Sequence, residues 1–463
     1  MILLPGGAQM FGRKFAEFSC AAILILATPS FAVAESLQDS LRNAYKNSGL
    51  LVQNRALLRA ADEKVADAVA DLRPVISWSS KFSHSYNGST NSDSLLSSID
   101  AKWLLYDFGR SDLQVEVLKE TVLATRQALV SIEQNVLLSA VAAHMNYRRS
   151  VEFVSLRLAN VQLIEQELRA AQDRFDVGEV TRTDVALAEA RLASARASLA
   201  VAQGDLANAA AEYHAVVGQK PGDLVTPASL PDLPKDVSAA IAIARTHHPD
   251  LLTVQHEVAA AELALKAAQK VYRPKFEAGA GIANQHIDGG SSRSLSLTVS
   301  GPIYSGGAIA SASRAAMAQR DAKRAGLHLA GLEVEKNVRN AFVVLDVARA
   351  TGEATDRQIE AASVAFRGVR EEASLGARTT LDVLNAEQEL LDARVNRIST
   401  RIDEQIASYR LLAAMGKLTV TELALGVKTY DPAEYYNLVK SAPRARSKQG
   451  AALDRVLKDL AGN

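Results

Sequence analysis

Two groups of polar side chains in this chain are spaced to manage charge rather than to break bonds. Thr181 and Asp184 form one, and Thr379 and Asp382 form the other, 198 residues later. A Thr with an acid three positions on has capping-box spacing, so both aspartates read first as helix caps. Asp382, Asn385 and Glu389 also fall at i, i+3 and i+7 of the following helix and share one face. If that face lined a pore on a three-fold axis, each position would become a ring of three side chains. Converging carboxylates would attract cations, and their repulsion would raise their apparent pKa values as a coupled set. Asn385 adds no charge to such a ring. His247, His248 and His256 could suggest a metal site, but the first two flank a helix start at Pro249, and no metal or cofactor is expected. The chain offers no nucleophile–base set, phosphate loop or Cys/His cluster, so an enzyme reading has little support.

The elements that carry these groups occur twice. Arg174-Phe-Asp-Val-Gly-Glu-Val-Thr-Arg-Thr-Asp184 is answered by Glu372-Ala-Ser-Leu-Gly-Ala-Arg-Thr-Thr-Leu-Asp382. Gly178 and Gly376 are natural helix ends, where a left-handed residue needs no Cβ. Thr181 and Thr379 begin the next helices. Each copy reads as the tip, at 174–184 and 372–382, of two antiparallel helices. The run leading to the first tip, about 108 to 177, is roughly 100 Å long at 1.5 Å per residue, far beyond a globular helix. The return helix, 184 to 217, holds 13 Ala in 34 residues, which suits close helix packing.

Ahead of each long helix the pattern changes to a period of two. Ile76, Trp78, Phe82, His84 and Tyr86 alternate with polar residues, and after a polar loop at 87–94 so do Leu95, Ile99, Ala101, Trp103 and Leu105. The second copy repeats this with Phe276, Ala278, Ala280 and Ile282, a turn at 288–292, then Leu295, Leu297, Val299 and Ile303. The domain plan is therefore a first repeat at 35–217 with its β-hairpin at 75–106, a Pro-rich linker at 218–234, a second repeat at 235–416 with its hairpin at 275–304, and a tail at 417–463. The tail carries a basic run at 443–448 and an amphipathic pattern through Leu453, Leu457 and Leu460.

Residues 1–34 read as a signal peptide, with Arg13 and Lys14 before an apolar core and Ala32-Val-Ala34 as the cleavage site. The one cysteine, Cys20, lies within it, so the mature chain has no thiol. With 52 basic and 52 acidic residues, no net charge argues for nucleic acid as a partner. No later stretch has 18 consecutive apolar residues. Each strand is about 10 to 12 residues long with one apolar face, the form of a transmembrane β-strand. Trp78, Trp103, Tyr106, Tyr272 and Tyr304 sit near strand ends, where interfacial aromatics belong. A bilayer admits β-structure only as a closed barrel, and four strands are too few. The barrel must be shared between chains. A periplasmic coiled-coil scaffold or adaptor without a pore is the other reading, but it has no need of membrane-length hairpins.

The duplicated long helices, the paired hairpins, Pro302-Ile-Tyr-Ser-Gly-Gly307 and Leu375-Gly-Ala-Arg-Thr-Thr-Leu-Asp-Val-Leu-Asn-Ala386 resemble the TolC family of outer-membrane efflux and type I secretion proteins. The resemblance spans nearly the whole mature chain. It implies a mainly α fold with a small β part: a homotrimer in a Gram-negative outer membrane, with one 12-stranded β-barrel above a long periplasmic α-helical coiled-coil barrel. It also implies a periplasmic adaptor docking at the tips of Gly178 and Gly376, and an inner-membrane pump of RND or ABC type that expels drugs, a secreted protein or both. The family's aspartate ring at the periplasmic mouth falls on Asp382 and Asn385. Its latch arginine falls on Arg378, with Thr183 and Asp184 at the partner positions. The latch tyrosine is Ala373 here.

Overall fold

The computed structural model describes residues 35–461 except 89, 228, 288 and 443–446. The signal peptide, the centre of the basic run, parts of both hairpin turns and the side chains of Leu457 and Leu460 lie outside the described residues. In chain order the helices are α1 (Leu37–Asn47), α2 (Gly49–Ala70), α3 (Arg110–Asp176), α4 (Arg182–Val217), α5 (Val237–His247), α6 (Pro249–Gln269), α7 (Ala308–Ser374), α8 (Thr380–Ala414), α9 (Pro432–Val439) and α10 (Lys448–Ala461). The strands are β1 (Val75–Asn87), β2 (Thr90–Tyr106), β3 (Lys275–Gln285) and β4 (Ser291–Ser300).

α3 and α7 have 67 residues each, so each rises roughly 100 Å. Each packs along a pair of shorter helices, α3 on α2 and α4 and α7 on α6 and α8, and α3 also meets α6 and α8. The main core lies midway, where Leu41, Leu137, Tyr213, Leu345, Ile402 and Leu411 meet, and a smaller one closes the second tip. One 18-residue window of α3 is apolar enough to cross a membrane, but 44% of it is buried against the chain's own helices.

The four strands form one antiparallel sheet in the order β1-β2-β3-β4. Its register aligns Ile76, Ala101, Ala280 and Leu295 across the sheet, and Trp103, Ala278 and Leu297 beside them. On the other face Ser77, Asp100, Gly281 and Ser294 align. Ile76 is 72% exposed and Leu295 88%, so one chain leaves its apolar face uncovered. β1 and β4 are both edges. In hydrocarbon their open backbone groups need partners from other chains.

Two strand ends depart from the sequence reading. Residues 90–94 are strand, not loop. Ser79 and Ser98, Ser80 and Ser97, and Ser83 and Ser94 join their hydroxyls at 2.9, 3.1 and 2.7 Å, and His84 meets Asp93 at 2.5 Å. Their polarity reads as a turn, yet cross-strand pairing satisfies it. β2 is therefore 17 residues long rather than about 12. β4 ends at Ser300, leaving Ile303 outside the sheet, because Pro302 has no N–H to give a ladder.

Candidate functional site: the paired helical tips

Both tips are built by the same local chemistry. Gly178 has φ +81° and Gly376 φ +78°, the left-handed region that ends a helix. In the first tip Glu179 N–H donates to the Arg174 carbonyl at 2.9 Å, and in the second Ala377 N–H donates to Glu372 at 2.9 Å. Thr181 N–H then donates to Asp184 Oδ2 at 2.9 Å, and Thr379 N–H to Asp382 Oδ2 at 3.0 Å. The returning bonds, Asp184 N–H to Thr181 Oγ1 and Asp382 N–H to Thr379 Oγ1, complete two capping boxes.

The capping has an electrostatic consequence. The Thr379 N–H and hydroxyl, with a smaller contribution from Arg378, hold the Asp382 carboxyl below the usual range. The Thr181 hydroxyl and N–H do the same for Asp184. Within one chain this influence opposes the upward shift expected from a ring of carboxylates.

The two tips of one chain adjoin. A cavity of about 550 Å³ is lined by Arg174, Thr181 and Asp184 from the first and by Ala373, Arg378 and Thr379 from the second. Arg378 does not reach Asp184 inside the chain. Its Nε donates to Glu372 Oε2 at 2.8 Å in its own tip. Thr183 is exposed, with Asp184 half-buried beside it. Asn385 is exposed and accepts from Arg191 Nη2 of α4 at 3.2 Å. Ala373 is buried with Phe366, Val383 and Leu390. A small side chain there lets α7 and α8 close, and it offers no hydroxyl for a latch.

The periodicity missed a second set of contacts above the tips. Asn160 of α3 donates from Nδ2 to Glu387 Oε1 of α8, and Arg370 of α7 pairs with Glu167 of α3 at 3.1 Å. Glu387 is only 4% exposed, and its Oε2 has no partner. Burial pushes its carboxyl up, against the Asn160 bond that lowers it. These contacts tie one hairpin to the other, and the sequence signals only that Glu387 interrupts an apolar stripe.

The histidines that the sequence singled out make local contacts. His248 caps α6, accepting from Asp250 N–H at 3.2 Å, while His256 meets Glu120 at 2.8 Å. Ser40, His144 and Tyr213 form a buried chain, with 2.8 Å from the Ser40 hydroxyl to each ring partner. Tyr213 continues it by donating to Glu35 at 2.7 Å. Ser40 and His144 are fully buried and His144 Nε2 faces the Val225 carbonyl, so no substrate could reach the hydroxyl.

Comparison with known proteins agrees with this architecture. The family model for outer membrane efflux proteins matches residues 41–219 and 240–417, the two repeats. The outer membrane efflux protein BepC of Brucella suis biovar 1 (strain 1330) is 36% identical over 435 residues, covering 92% of this chain and 95% of that protein. The outer membrane protein TolC of Escherichia coli (strain K12) is 24% identical, covering 85% of each. The crystal structure of the Campylobacter jejuni CmeC outer membrane channel superposes with a TM-score of 0.73 at 14% identity, over 88% of this chain and 90% of that one. With both repeats matched and the sheet and long coils in place, the chain belongs to the outer membrane efflux protein family.

Proposed function

We propose that three copies of this chain close one 12-stranded barrel, β4 of each pairing with β1 of the next, and that their paired tips form the periplasmic aperture. The chain is an outer-membrane exit duct with a long periplasmic extension. The observation that carries the assembly is the sheet: one uncovered apolar face and two open edges. Trp103, Tyr106 and Tyr304 stand toward the helix-facing end, where they would mark the inner membrane boundary, while Trp78 pairs with Ile99 higher in the sheet. Trp103 also donates from Nε1 to the Leu72 carbonyl at 3.1 Å, holding the sheet to α2. The tips of Gly178 and Gly376 offer the docking surface for a periplasmic adaptor, which links the duct to an inner-membrane pump of RND or ABC type. Cargo choice, drugs or secreted protein, lies largely with that pump. The purified protein is expected to run as a trimer in mild detergent and to conduct ions in planar bilayers. A stable monomer that conducts would sink the shared barrel.

At the aperture, Asp382 and Asn385 face the three-fold axis in this reading, and Arg378 exchanges Glu372 for Asp184 of a neighbouring chain when the mouth closes. Asp382→Ala is then expected to lower cation preference and relieve block by multivalent cations. Arg378→Ser is expected to raise conductance by loosening the mouth. Single-channel recording decides both. Unchanged selectivity in Asp382→Ala leaves that residue a helix cap and moves the ring elsewhere.

A further inference from the structure

α2 buries a stripe of Leu58, Asp62 and Val65, at i, i+4 and i+7. The middle residue of that stripe is a carboxylate between apolar neighbours. Asp62 is 0% exposed in a single chain, so no second chain can reach it. Neither of its oxygens has a hydrogen-bond partner among the described residues. It lies about 12 Å of helix axis below the end of α2 and stands clear of the strands.

The C-terminal tail closes over this carboxylate. Tyr430 and Tyr436 pack against Leu58, Val65, Val115 and Val122, the core that α2 shares with α3. The nearby cations are engaged by the tail's rings rather than by Asp62. Arg126 of α3 stands 5.1 Å from the Tyr436 ring centroid, and its Nε has no partner. Arg55 of α2 lies 5.4 Å from the Tyr430 centroid and 4.9 Å from that of Tyr45. The Tyr430 hydroxyl is buried without a partner as well. Tyr435 OH donates to Glu63 Oε1 at 2.6 Å, which fixes a second acid beside Asp62. Arg59 of α2 acts on Tyr430 and Tyr435, and Lys119 of α3 acts on Tyr436. Farther along α3, Glu133 accepts from the Val420 N–H at 2.8 Å, where the tail begins.

We propose that the tail is a proton-operated catch: Asp62 takes up a proton when the tail seats on α2 and α3, and loss of that proton loosens it. Seating the tail strips the carboxylate of water and returns no hydrogen bond, which favours the neutral acid. Burial pushes its pKa from 3.8 up to about 6, against a downward pull from Arg126 and with a further push from Glu63. With the tail lifted, water reaches Asp62 and the ordinary value returns. The seated tail therefore binds a proton before the lifted tail does. Its extra hold is complete below 3.8 and is lost as pH rises through about 6. Acidification tightens the clasp on α2 and α3 below the sheet, and a neutral medium loosens it. Every group involved belongs to one chain, so the catch does not depend on how copies assemble.

The test is amide hydrogen–deuterium exchange of the full-length protein in detergent. It is read by mass spectrometry on peptides covering α9 (Pro432–Val439) and corrected for the intrinsic pH dependence of exchange. Corrected exchange is expected to be about tenfold faster at pH 7.5 than at pH 5, the ratio set by the seated and lifted pKa values. Asp62→Asn, a neutral side chain of the same shape, should exchange at the slow rate at both pH values. Glu63→Gln and Glu133→Gln should each keep most of the pH dependence. Exchange that does not slow on acidification of the unsubstituted protein overturns the catch, and this outcome needs no variant to fold. So does a pH dependence that survives in Asp62→Asn, or one that disappears in Glu133→Gln instead.

Discussion

Gly416→Ala is expected to cost most of the folded protein, while Gly376→Val leaves the chain folded and stops export. Both glycines sit near φ +77°, where any side chain is strained. Their surroundings differ. A Cβ on Gly416 would stand 2.7 Å from the His247 carbonyl oxygen and 2.8 Å from His248 Cα, backbone atoms held by the start of α6. Strain and overpacking together should cost about 2–4 kcal/mol, a large share of ordinary stability. A Cβ on Gly376 meets nothing within 4 Å, so the cost stays in the tip. The two effects separate by yield of folded protein and melting temperature on one side and export on the other. A Gly416→Ala protein of native melting temperature would refute the first claim. Normal export by Gly376→Val would remove the tip from the docking surface.

Asn160→Ala should destabilise the coils above the aperture by about 3 kcal/mol at neutral pH, because it leaves the buried Glu387 carboxylate without its donor. The remaining charged groups acting on Glu387 are Arg191 and Arg394, which favour ionisation, and Asp392, which opposes it, and Arg367 lines the same cavity. Burial already holds the Glu387 pKa above its ordinary value of 4.5, so the folded state binds a proton before the unfolded chain does. Stability from this group therefore rises as pH falls through the folded pKa, and the gain is complete below the unfolded one. In Asn160→Ala the folded pKa moves further up and the recovery on acidification grows. Melting curves at pH 7.5 and 5 should show that recovery, and the double variant with Glu387→Gln should lack it. A pH-independent loss in Asn160→Ala would mean that Glu387 is not the group responsible.

Much of this architecture is legible in the residues because its causes are local. Glycine alone takes a positive φ without strain, and a Thr with an acid three positions on satisfies its own helix start, so both tips can be read from about ten residues each. Alternation with a period of two assigns the lipid face of each strand before any pairing is known. The departures are equally physical. The serine-rich end of the first hairpin carries a loop's composition, and only a partner strand placing one hydroxyl opposite another makes it sheet. Asn160 and Glu387 are 227 residues apart, and Ser40 and Tyr213 173, distances at which no pattern in the chain foretells contact. Ala188-Glu189 and Ala386-Glu387 are the same dipeptide in the two repeats, yet Glu189 is exposed and Glu387 buried. The duplicated sequence determined two identical helix starts. Which of the two glutamates faces water was decided by the helix packed against it, since α8 lies against α3 at this level and Asn160 reaches Glu387 from there.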